Sequence, residues 1–484
     1  MSLRKVANVV GLLQVFVALA MFMTGLVALA YADGDAPGFF LAGTITLVVG
    51  WGAYVSTRFD EDFTAREGFA IVTMAWTATS FFGALPYLFT GVLSSPTAAV
   101  FEAMSGFTTT GATVFPEIES LPHGVLLWRS VTHWLGGMGI IVLVIAVLPY
   151  LGVGGMQLFQ AEVPGPTPER LRPRIAHTAK LLWLVYFALT AALVLLYLLG
   201  GMGPFDAVNH SFAALATGGF STKNGSMADF GPFIQWVTIL FMYLAGVNYT
   251  LHFRAATGRF DYFRDQEWKF FTLVLGVSAI LIVTLNLVTG THGSLEPAMR
   301  ESLFQVVAIT TTTGFVSADY ELWVPGSRMV LFSLFFVGGM AGSTSGGIKA
   351  MRVLLLLKQT GNELRKHLHP RAVLVTRIGK QSVKEEVGAR IVGFVILYLL
   401  LCLVGAMALG FTGVDPLTAI GGSIASVGNV GPAFAGLGPT DNYGWMSSPA
   451  LGVLSFLMLV GRLEIFTVLL LFHPDLWKRR RSFH

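Results

Sequence analysis

Thr311-Thr312-Thr313-Gly314-Phe315 has three distant echoes in the chain, and the fold is read from the four together. The echoes are Thr108-Thr109-Thr110-Gly111-Ala112, Ala216-Thr217-Gly218-Gly219-Phe220 and Ser426-Val427-Gly428-Asn429-Val430-Gly431. Aligned on Gly111, Gly219, Gly314 and Gly431, each follows a moderately apolar stretch that begins at a proline. The prolines are Pro96, Pro204, Pro297 and Pro416, at offsets of 15, 15, 17 and 15 residues. Beyond each phrase runs a long apolar segment with small residues near its middle: Gly136-Gly137, Ala245-Gly246, Gly338-Gly339 and Gly461. Counted to Gly137, Gly246, Gly339 and Gly461, these breaks lie 26, 27, 25 and 30 residues past the aligned glycine. A single Thr-Thr-Gly carries no information, whereas four in four matching contexts are an internal repeat.

The chemistry of the unit explains why it is worth repeating. Proline suits the first turn of a helix, where its missing N–H would have no partner anyway. The Thr-x-Gly phrase then ends that helix and turns the chain back, with glycine permitting angles that aim successive carbonyls at one axis. Four such loops around an axis would stack rings of carbonyl oxygens able to replace an ion's hydration shell. Irregular backbone at membrane depth is tolerated only where protein buries it or where it lines a water-filled path. The repeat therefore predicts a pore.

Composition fits that setting. The 484 residues are 54% hydrophobic and 12% charged, with a mean hydropathy of +0.68, which excludes an ordinary soluble globule. The length allows roughly ten spanning helices of about 20 residues with their loops. The one cysteine, Cys402, lies in an apolar run and can form no intrachain disulfide.

In chain order, Val6–Tyr31 reads as a retained first span and Phe39–Thr57 as a second, both outside the fourfold pattern. The expected fold is an all-α integral membrane protein of ten spans: this N-terminal pair plus four pseudo-repeated helix–loop–helix units. We divide it at 1–67 (the pair), 68–157, 158–258, 259–360 and 361–484. The outer helices are expected near 68–92, 181–199, 270–288 and 391–409. The inner ones are expected near 125–151, 234–253, 329–357 and 451–472. The third inner helix is interrupted by Gly338-Gly339-Met340-Ala341-Gly342-Ser343-Thr344-Ser345-Gly346-Gly347, which no continuous helix should tolerate without purpose. The connections holding Arg170–Lys180, Arg254–Lys269, Lys349–Arg390 and Lys478–Arg481 are basic, which places them and both termini in the cytoplasm.

Taken together, the four phrases resemble the pore loops of the Trk/Ktr/HKT superfamily of bacterial, fungal and plant cation transport proteins. The run Ser105–Gly111, the phrase Ala216–Thr222, Thr311–Phe315 and Gly428–Pro432 carry the resemblance. The extra N-terminal pair makes the chain most similar to the TrkH branch, the potassium-translocating subunits of bacterial Trk systems. The resemblance implies potassium uptake across the bacterial inner membrane by a homodimer, each protomer with its own pore. It further implies a cytosolic TrkA-like regulatory ring that binds nucleotide. K⁺ is implied as the transported ion, with no covalent cofactor and no nucleic-acid partner. The selectivity-filter carbonyls then fall on Thr109, Thr110, Gly111, Thr217, Gly218, Gly219, Thr312, Thr313, Gly314, Asn429, Val430 and Gly431. The gating loop falls on Gly338, Gly339, Gly342, Ser343, Thr344, Ser345, Gly346 and Gly347, with Arg462 as its partner. Asn429 departs from the threonine of the other three phrases, which puts strict fourfold symmetry in question.

Duller readings stand beside these. Threonines pack membrane helix interfaces, and the glycine-rich stretch would also serve as a passive kink. Arg462 within a span is costly enough to make function the default; a local pair with Glu464 is the alternative, weakened because residues two apart face away from each other on a helix. His133, His210 and His252 show no metal-ligand spacing and read as polar packing. Glu102 and Asp206 read as loop-orienting or cation-attracting groups. The basic loop between repeats three and four, with Arg365, Lys366 and Arg371, touches anionic lipid or docks a regulator. Three function classes compete: a channel-like permease, a cation-coupled (Na⁺ or H⁺) alternating-access potassium symporter, and an intramembrane enzyme. No nucleophile, paired-Asp or His-Glu-x-x-His constellation supports the last. Each phrase is shorter than the five-residue filter of potassium channels, which predicts weaker K⁺/Na⁺ discrimination.

Overall fold

The computed structural model describes residues 2–59, 64–146, 171–372, 374–379, 381–383 and 385–477. Two long helices, Leu3–Tyr31 and Ala36–Ser56, form an N-terminal hairpin. Its turn is made by Ala32 in the left-handed region (φ 58°) and by Pro37 in the first turn of the second helix. The hairpin packs on the outer helix of repeat one, Ala65–Gly83. That helix opens with a reciprocal capping box between Thr64 and Glu67, and Glu67 also accepts the Ser2 N–H at 3.0 Å.

Each repeat then contributes an outer helix, a short buried helix and an inner helix. The short helices are Pro96–Phe107, Pro204–Leu215, Leu295–Thr310 and Pro416–Gly428. The third is 16 residues against 12, 12 and 13. Its extra turn accounts for the longer sequence offset there, although it starts two residues before Pro297. The outer helices of repeats two to four are Leu171–Leu199, Gln266–Val288 and Glu385–Gly410. Repeat two's outer helix thus begins well before the expected residue 181. The remainder of the polar stretch before Leu171, and the basic segment 478–481, lie outside the described residues.

Inner helices depart most from expectation. In repeat one, His123–Ala146 is continuous. In repeat two, the expected 234–253 helix is Pro232–Gly246 followed by Tyr249–Ala256, bent by 103°. In repeat four, 451–472 is Ser448–Arg462 followed by Phe466–Phe472, bent by 109°. Each bend has a local cause. Asn248 stops one helix and caps the next, accepting the Thr250 N–H at 2.8 Å; Glu464 takes φ 60°, which no helix interior accommodates. In repeat three, Pro325–Leu334 and Ala350–Leu368 are separated by the glycine-rich loop. Among the described residues six helices are long and apolar enough to cross a membrane, and the two bent pairs bring this to eight. His123–Ala146 and the interrupted pair occupy the remaining inner-helix positions. A short antiparallel pairing of Arg377–Ile378 with Gln381–Ser382 decorates the loop between repeats three and four.

The packing is cyclic. The inner helix of repeat one lies on the short helix of repeat two, that of two on the short helix of three, and that of four on the short helix of one. The small-residue breaks make such close approaches possible, to the repeat's own short helix at Gly136 and Gly461 and to the next repeat's phrase at Gly246. A side chain at Gly136 would overlap the Phe107 carbonyl oxygen, and one at Gly461 the Val427 carbonyl oxygen. At Gly246, an added Cβ would come within 2.6 Å of the Thr311 methyl.

Candidate ion path and gate

All four short helices end in the same way. Thr110, Gly218, Thr313 and Val430 donate their N–H groups to the carbonyls of Ser105, Ala213, Ala308 and Ala425, at 2.8–2.9 Å. Thr109, Thr217, Thr312 and Asn429 bond to Gly106, Ala214, Ile309 and Ser426 at 3.0–3.2 Å. This is a Schellman-type stop, and it demands a left-handed residue. That residue is Thr109 (φ 52°), Thr217 (φ 54°), Thr312 (φ 57°) or Asn429 (φ 55°). A β-branched side chain at positive φ is a true outlier, held at a cost of about 1–3 kcal/mol each. Asn429 is the one fourth-repeat residue that departs from threonine, and asparagine is the side chain that tolerates this region best. Two residues on, Gly111, Gly219 and Gly314 are again at positive φ (83°, 82° and 73°), whereas Gly431 is not. The alternation is shared by three loops and broken in the fourth.

The four glycines close a ring. A Cβ at Gly111 would overlap the Gly218 carbonyl oxygen, and one at Gly219 that of Thr313. One at Gly314 would stand 3.0 Å from the Gly431 nitrogen, and one at Gly431 would stand 2.9 Å from the Gly111 and Thr110 oxygens. Repeats one, two, three and four therefore meet in chain order about one axis, backbone to backbone. Above them lies a cavity of about 110 Å³ lined by Gly111, Gly219, Gly314 and Gly431. Its wall is stitched at every seam: Ile118 N–H to Asn224 Oδ1 (2.7 Å), Met227 N–H to the Val316 carbonyl (2.8 Å), Tyr320 hydroxyl to the Ala433 carbonyl (2.6 Å), and Tyr443 N–H to the Thr113 carbonyl (2.8 Å).

Nine residues before the aligned glycine, three short helices carry a polar side chain that braces the returning strand. Glu102 accepts from Thr113 Oγ1 (3.0 Å), Val114 N–H (2.9 Å) and Arg129 Nε (2.8 Å). His210 Nε2 meets Ser221 Oγ at 2.9 Å, and Gln305 Nε2 donates to Ser317 Oγ at 3.4 Å. Asp206 accepts from Thr222 Oγ1 at 2.6 Å. All four brace the returning chain; for Glu102 and Asp206 this is the loop-orienting one of the two roles read from the sequence. His133 stacks on Phe220 at 4.1 Å, and His252 hydrogen-bonds Tyr262 and the Leu244 carbonyl. No metal-binding cluster occurs among the described residues.

Beneath the ring lies the loop that interrupts the third inner helix. The Gly346 N–H donates to Thr312 Oγ1 at 2.7 Å, so the loop touches the underside of the third phrase. Gly346 is also packed so closely that a Cβ would come 2.6 Å from the Gly428 carbonyl oxygen. Ser343, Thr344 and Ser345 are buried. Ser343 and Ser345 share a hydroxyl contact of 2.8 Å, and Thr344 Oγ1 donates to the Leu215 carbonyl at 3.0 Å. Arg462, 2% exposed, donates from one terminal nitrogen to the Thr344 carbonyl (2.8 Å) and from the other to the Gly136 carbonyl (3.4 Å).

The comparisons match this architecture throughout. A family model described as a cation transport protein, TrkH, matches residues 36–479. The chain belongs to the TrkH cation transport family. It is 42% identical to the Trk system potassium uptake protein TrkH of Escherichia coli K12 and 41% identical to that of Salmonella typhimurium. Both alignments cover 99% of this chain and all of the relative. The crystal structure of the potassium transporter TrkH from Vibrio parahaemolyticus superposes with a TM-score of 0.91 at 37% identity, over 99% of this chain and all of the other. The chain is accordingly a multi-pass membrane protein of a transport family.

Within this TrkH-family fold, several residues beside the loop had no sequence signal. Glu464 does not pair with Arg462; it pairs with Arg352, whose guanidinium also sits 4.0 Å from the Phe394 ring centre. The bend after Arg462 turns the two side chains to different neighbours. Lys349 donates its ammonium to the Ser345 carbonyl. Glu267 is buried against the loop from the neighbouring outer helix. Asn429 donates to Thr110 Oγ1 at 3.1 Å and to the Met458 carbonyl at 2.9 Å, tying repeat four to repeat one. The Glu267 contacts, the Arg352–Glu464 pair and the Asn429–Thr110 bond each join residues more than 70 apart, which local spacing cannot show.

Proposed function

We propose that this protein carries potassium into the cell through one axial path per protomer, with a ring of backbone carbonyls as filter and the 338–347 loop as gate. The observation that carries this reading is the backbone ring, in which each aligned glycine abuts the phrase of the next repeat in chain order. Such a ring offers oxygens from Thr109, Thr110, Gly111, Thr217, Gly218, Gly219, Thr312, Thr313, Gly314, Asn429, Val430 and Gly431 to a dehydrated cation. The named relatives are potassium uptake proteins, and their ion gives the choice of K⁺.

The loop fits a gate by its position directly under the ring and by its dependence on Arg462. A guanidinium has five donors and no acceptor, so it suits a loop of carbonyls and hydroxyls. We place the protein in the bacterial inner membrane as a homodimer with both termini in the cytoplasm. A cytosolic nucleotide-binding ring is proposed to control it through the basic helix end at Arg365, Lys366 and Arg371. Reversing those three charges should abolish co-purification of such a ring; undiminished binding moves the contact elsewhere.

The deciding measurement is cation flux into liposomes holding the purified protein, comparing K⁺, Rb⁺ and Na⁺. Saturable K⁺ and Rb⁺ entry without a Na⁺ or H⁺ gradient is expected. Entry that requires such a gradient would replace the channel-like reading with a symporter.

A further inference from the structure

The glycine-rich loop leaves the third inner helix after Leu334 and rejoins helix at Ala350, and its two ends pair through their own backbone, Gly338 N–H to the Ile348 carbonyl at 2.6 Å and Ala350 N–H to the Gly339 carbonyl at 3.1 Å. One side-chain atom outside the loop ties its middle to the helix that follows. Glu267 Oε1 accepts the Ala341 N–H at 2.7 Å and the Met351 N–H at 3.0 Å. Ala341 belongs to the loop, and Met351 is the second residue of the helix that follows. That helix needs the contact: its N-cap residue is Lys349, which supplies no side-chain cap. A carboxylate at this end satisfies an orphan N–H and meets the positive pole of the helix.

Glu267 is 3% exposed, so a lost partner cannot be replaced freely by water. It lies in the first turn of the outer helix Gln266–Val288, directly after the cytoplasmic connection 257–265. Its neighbour Gln266 accepts a hydrogen bond from Lys358 Nζ at 2.7 Å, two turns along the helix that follows the loop. The start of this outer helix therefore grips the loop, its exit and the cytoplasmic extension beyond it.

We propose that Glu267 is a gate-positioning residue, which holds the loop under the ring by tying Ala341, in the middle of the loop, to the start of the following helix through one carboxylate oxygen. The proposal rests on the loop being the gate. It adds a hold that does not pass through Arg462. It also gives the cytoplasmic connection before Gln266 a mechanical route to the loop, since a shift of that helix start moves Ala341 and Met351 together.

The test is ⁸⁶Rb⁺ uptake by the full-length protein in liposomes without any regulator, with Arg462→Ala and a loop deletion run in parallel. Glu267→Ala should raise uptake about tenfold, as expected when a bias of about one charge-assisted hydrogen bond is removed from a two-state equilibrium. Glu267→Gln keeps an oxygen acceptor and should raise it less, with K⁺ preference over Na⁺ unchanged in both. Met351→Pro deletes one clamped N–H at a position where a first-turn proline is tolerated. It should act in the same direction, and it keeps the test available if Glu267→Ala does not fold. If Arg462→Ala and the deletion raise uptake while Glu267→Ala and Met351→Pro do not, the clamp is wrong and the gate stands. If none of the four changes uptake, the gate itself is wrong and the clamp falls with it.

Discussion

The ring and the loop beneath it are built on opposite plans. In the ring, one backbone hydrogen-bond pattern recurs four times, and the contacts between neighbours are backbone against backbone. In the loop no contact recurs. Its partners come from every repeat: Gly136 through Arg462, Leu215 and Gly246, Glu267 and Thr312, and Arg462 itself. A ring held by its own backbone has one arrangement, and distorting one quarter strains the others. A loop held by single, unrelated bonds from four directions, some through side chains and some through backbone, can be released by the loss of a few of them. The first plan suits a fixed filter and the second a switch.

The contrast is broken most directly at the loop. Deleting Gly342–Gly346 should raise regulator-free K⁺ flux by more than about tenfold, and Arg462→Ala, which strips the Thr344 carbonyl of its donor, by about tenfold. Selectivity should survive both changes, because the ring does not depend on the loop for its backbone bonds. Liposome flux with K⁺ and Na⁺ side by side measures both quantities. Unchanged flux in a folded protein would mean that the ring, and not the loop, limits conduction.

Next in size are the ring glycines. Gly111→Ser and Gly219→Ser combine positive φ with overlap of a neighbouring carbonyl oxygen. Each should sharply reduce K⁺ preference over Na⁺, since the backbone must move to admit the side chain. Gly431→Ser meets a tight contact but no left-handed backbone, so its loss should be smaller. Reversal potentials in mixed K⁺/Na⁺ solutions rank the three. An equal loss at Gly431 would restore full fourfold symmetry to the ring.

A smaller effect is expected at the seam between repeats four and one. Asn429→Thr matches the residue of the other phrases and removes the hydrogen bonds to Thr110 Oγ1 and the Met458 carbonyl. It also puts a β-branched residue at φ 55°. The loss should be about 2 kcal/mol of stability, read as a lower Tm in detergent with a modest fall in selectivity. A Tm equal to that of the parent would show the seam to be held by its backbone alone.

Sequence could see whatever the repeat copies. The four phrases, the prolines that open the short helices and the glycines that let inner helices approach all recur, so alignment within one chain exposes them. Gly338–Gly347 stood out for the opposite reason, as a segment that no helix would keep. Asn429 was visible only as an exception; its positive φ shows that the exception meets a backbone demand which threonine meets under strain. The bends after Gly246 and Arg462 were hidden, since apolar composition is indifferent to direction and the smallness of Gly246 and Gly461 had already served the packing. Glu267 and the Arg352–Glu464 pair were hidden because their partners, more than 70 residues away, meet them only through tertiary structure.

The smallest expected effect lies where the four short helices begin, and it asks how far the symmetry of their ends extends back. Asp415 caps the fourth, accepting the Leu417 and Thr418 N–H groups at 3.1 and 3.2 Å. Ser95 caps the first through Ala98 N–H at 3.4 Å, whereas Gly203 and Ser294 supply no side-chain cap to the second and third. Hydrogen bonds from Thr418, its side chain first and then its N–H, hold the Asp415 carboxyl below the ordinary value of 3.8. A carboxyl lowered on folding stabilises the protein fully above its unfolded pKa, and the benefit is lost as pH falls through the folded value. Asp415 is exposed, so the solvent-screened gain is small, at most about 1 kcal/mol at pH 7. Asp415→Ala should therefore lower Tm slightly at neutral pH and converge on the parent in acid, once the pH falls below the lowered folded value. Asp415→Asn keeps an acceptor without a titrating charge and should lie close to the parent at pH 7. A deficit in the alanine variant that persists undiminished at low pH would assign the effect to helix propensity. In that case the short helices would differ at their starts for no electrostatic reason, and the only feature all four must share is the left-handed stop that faces the axis.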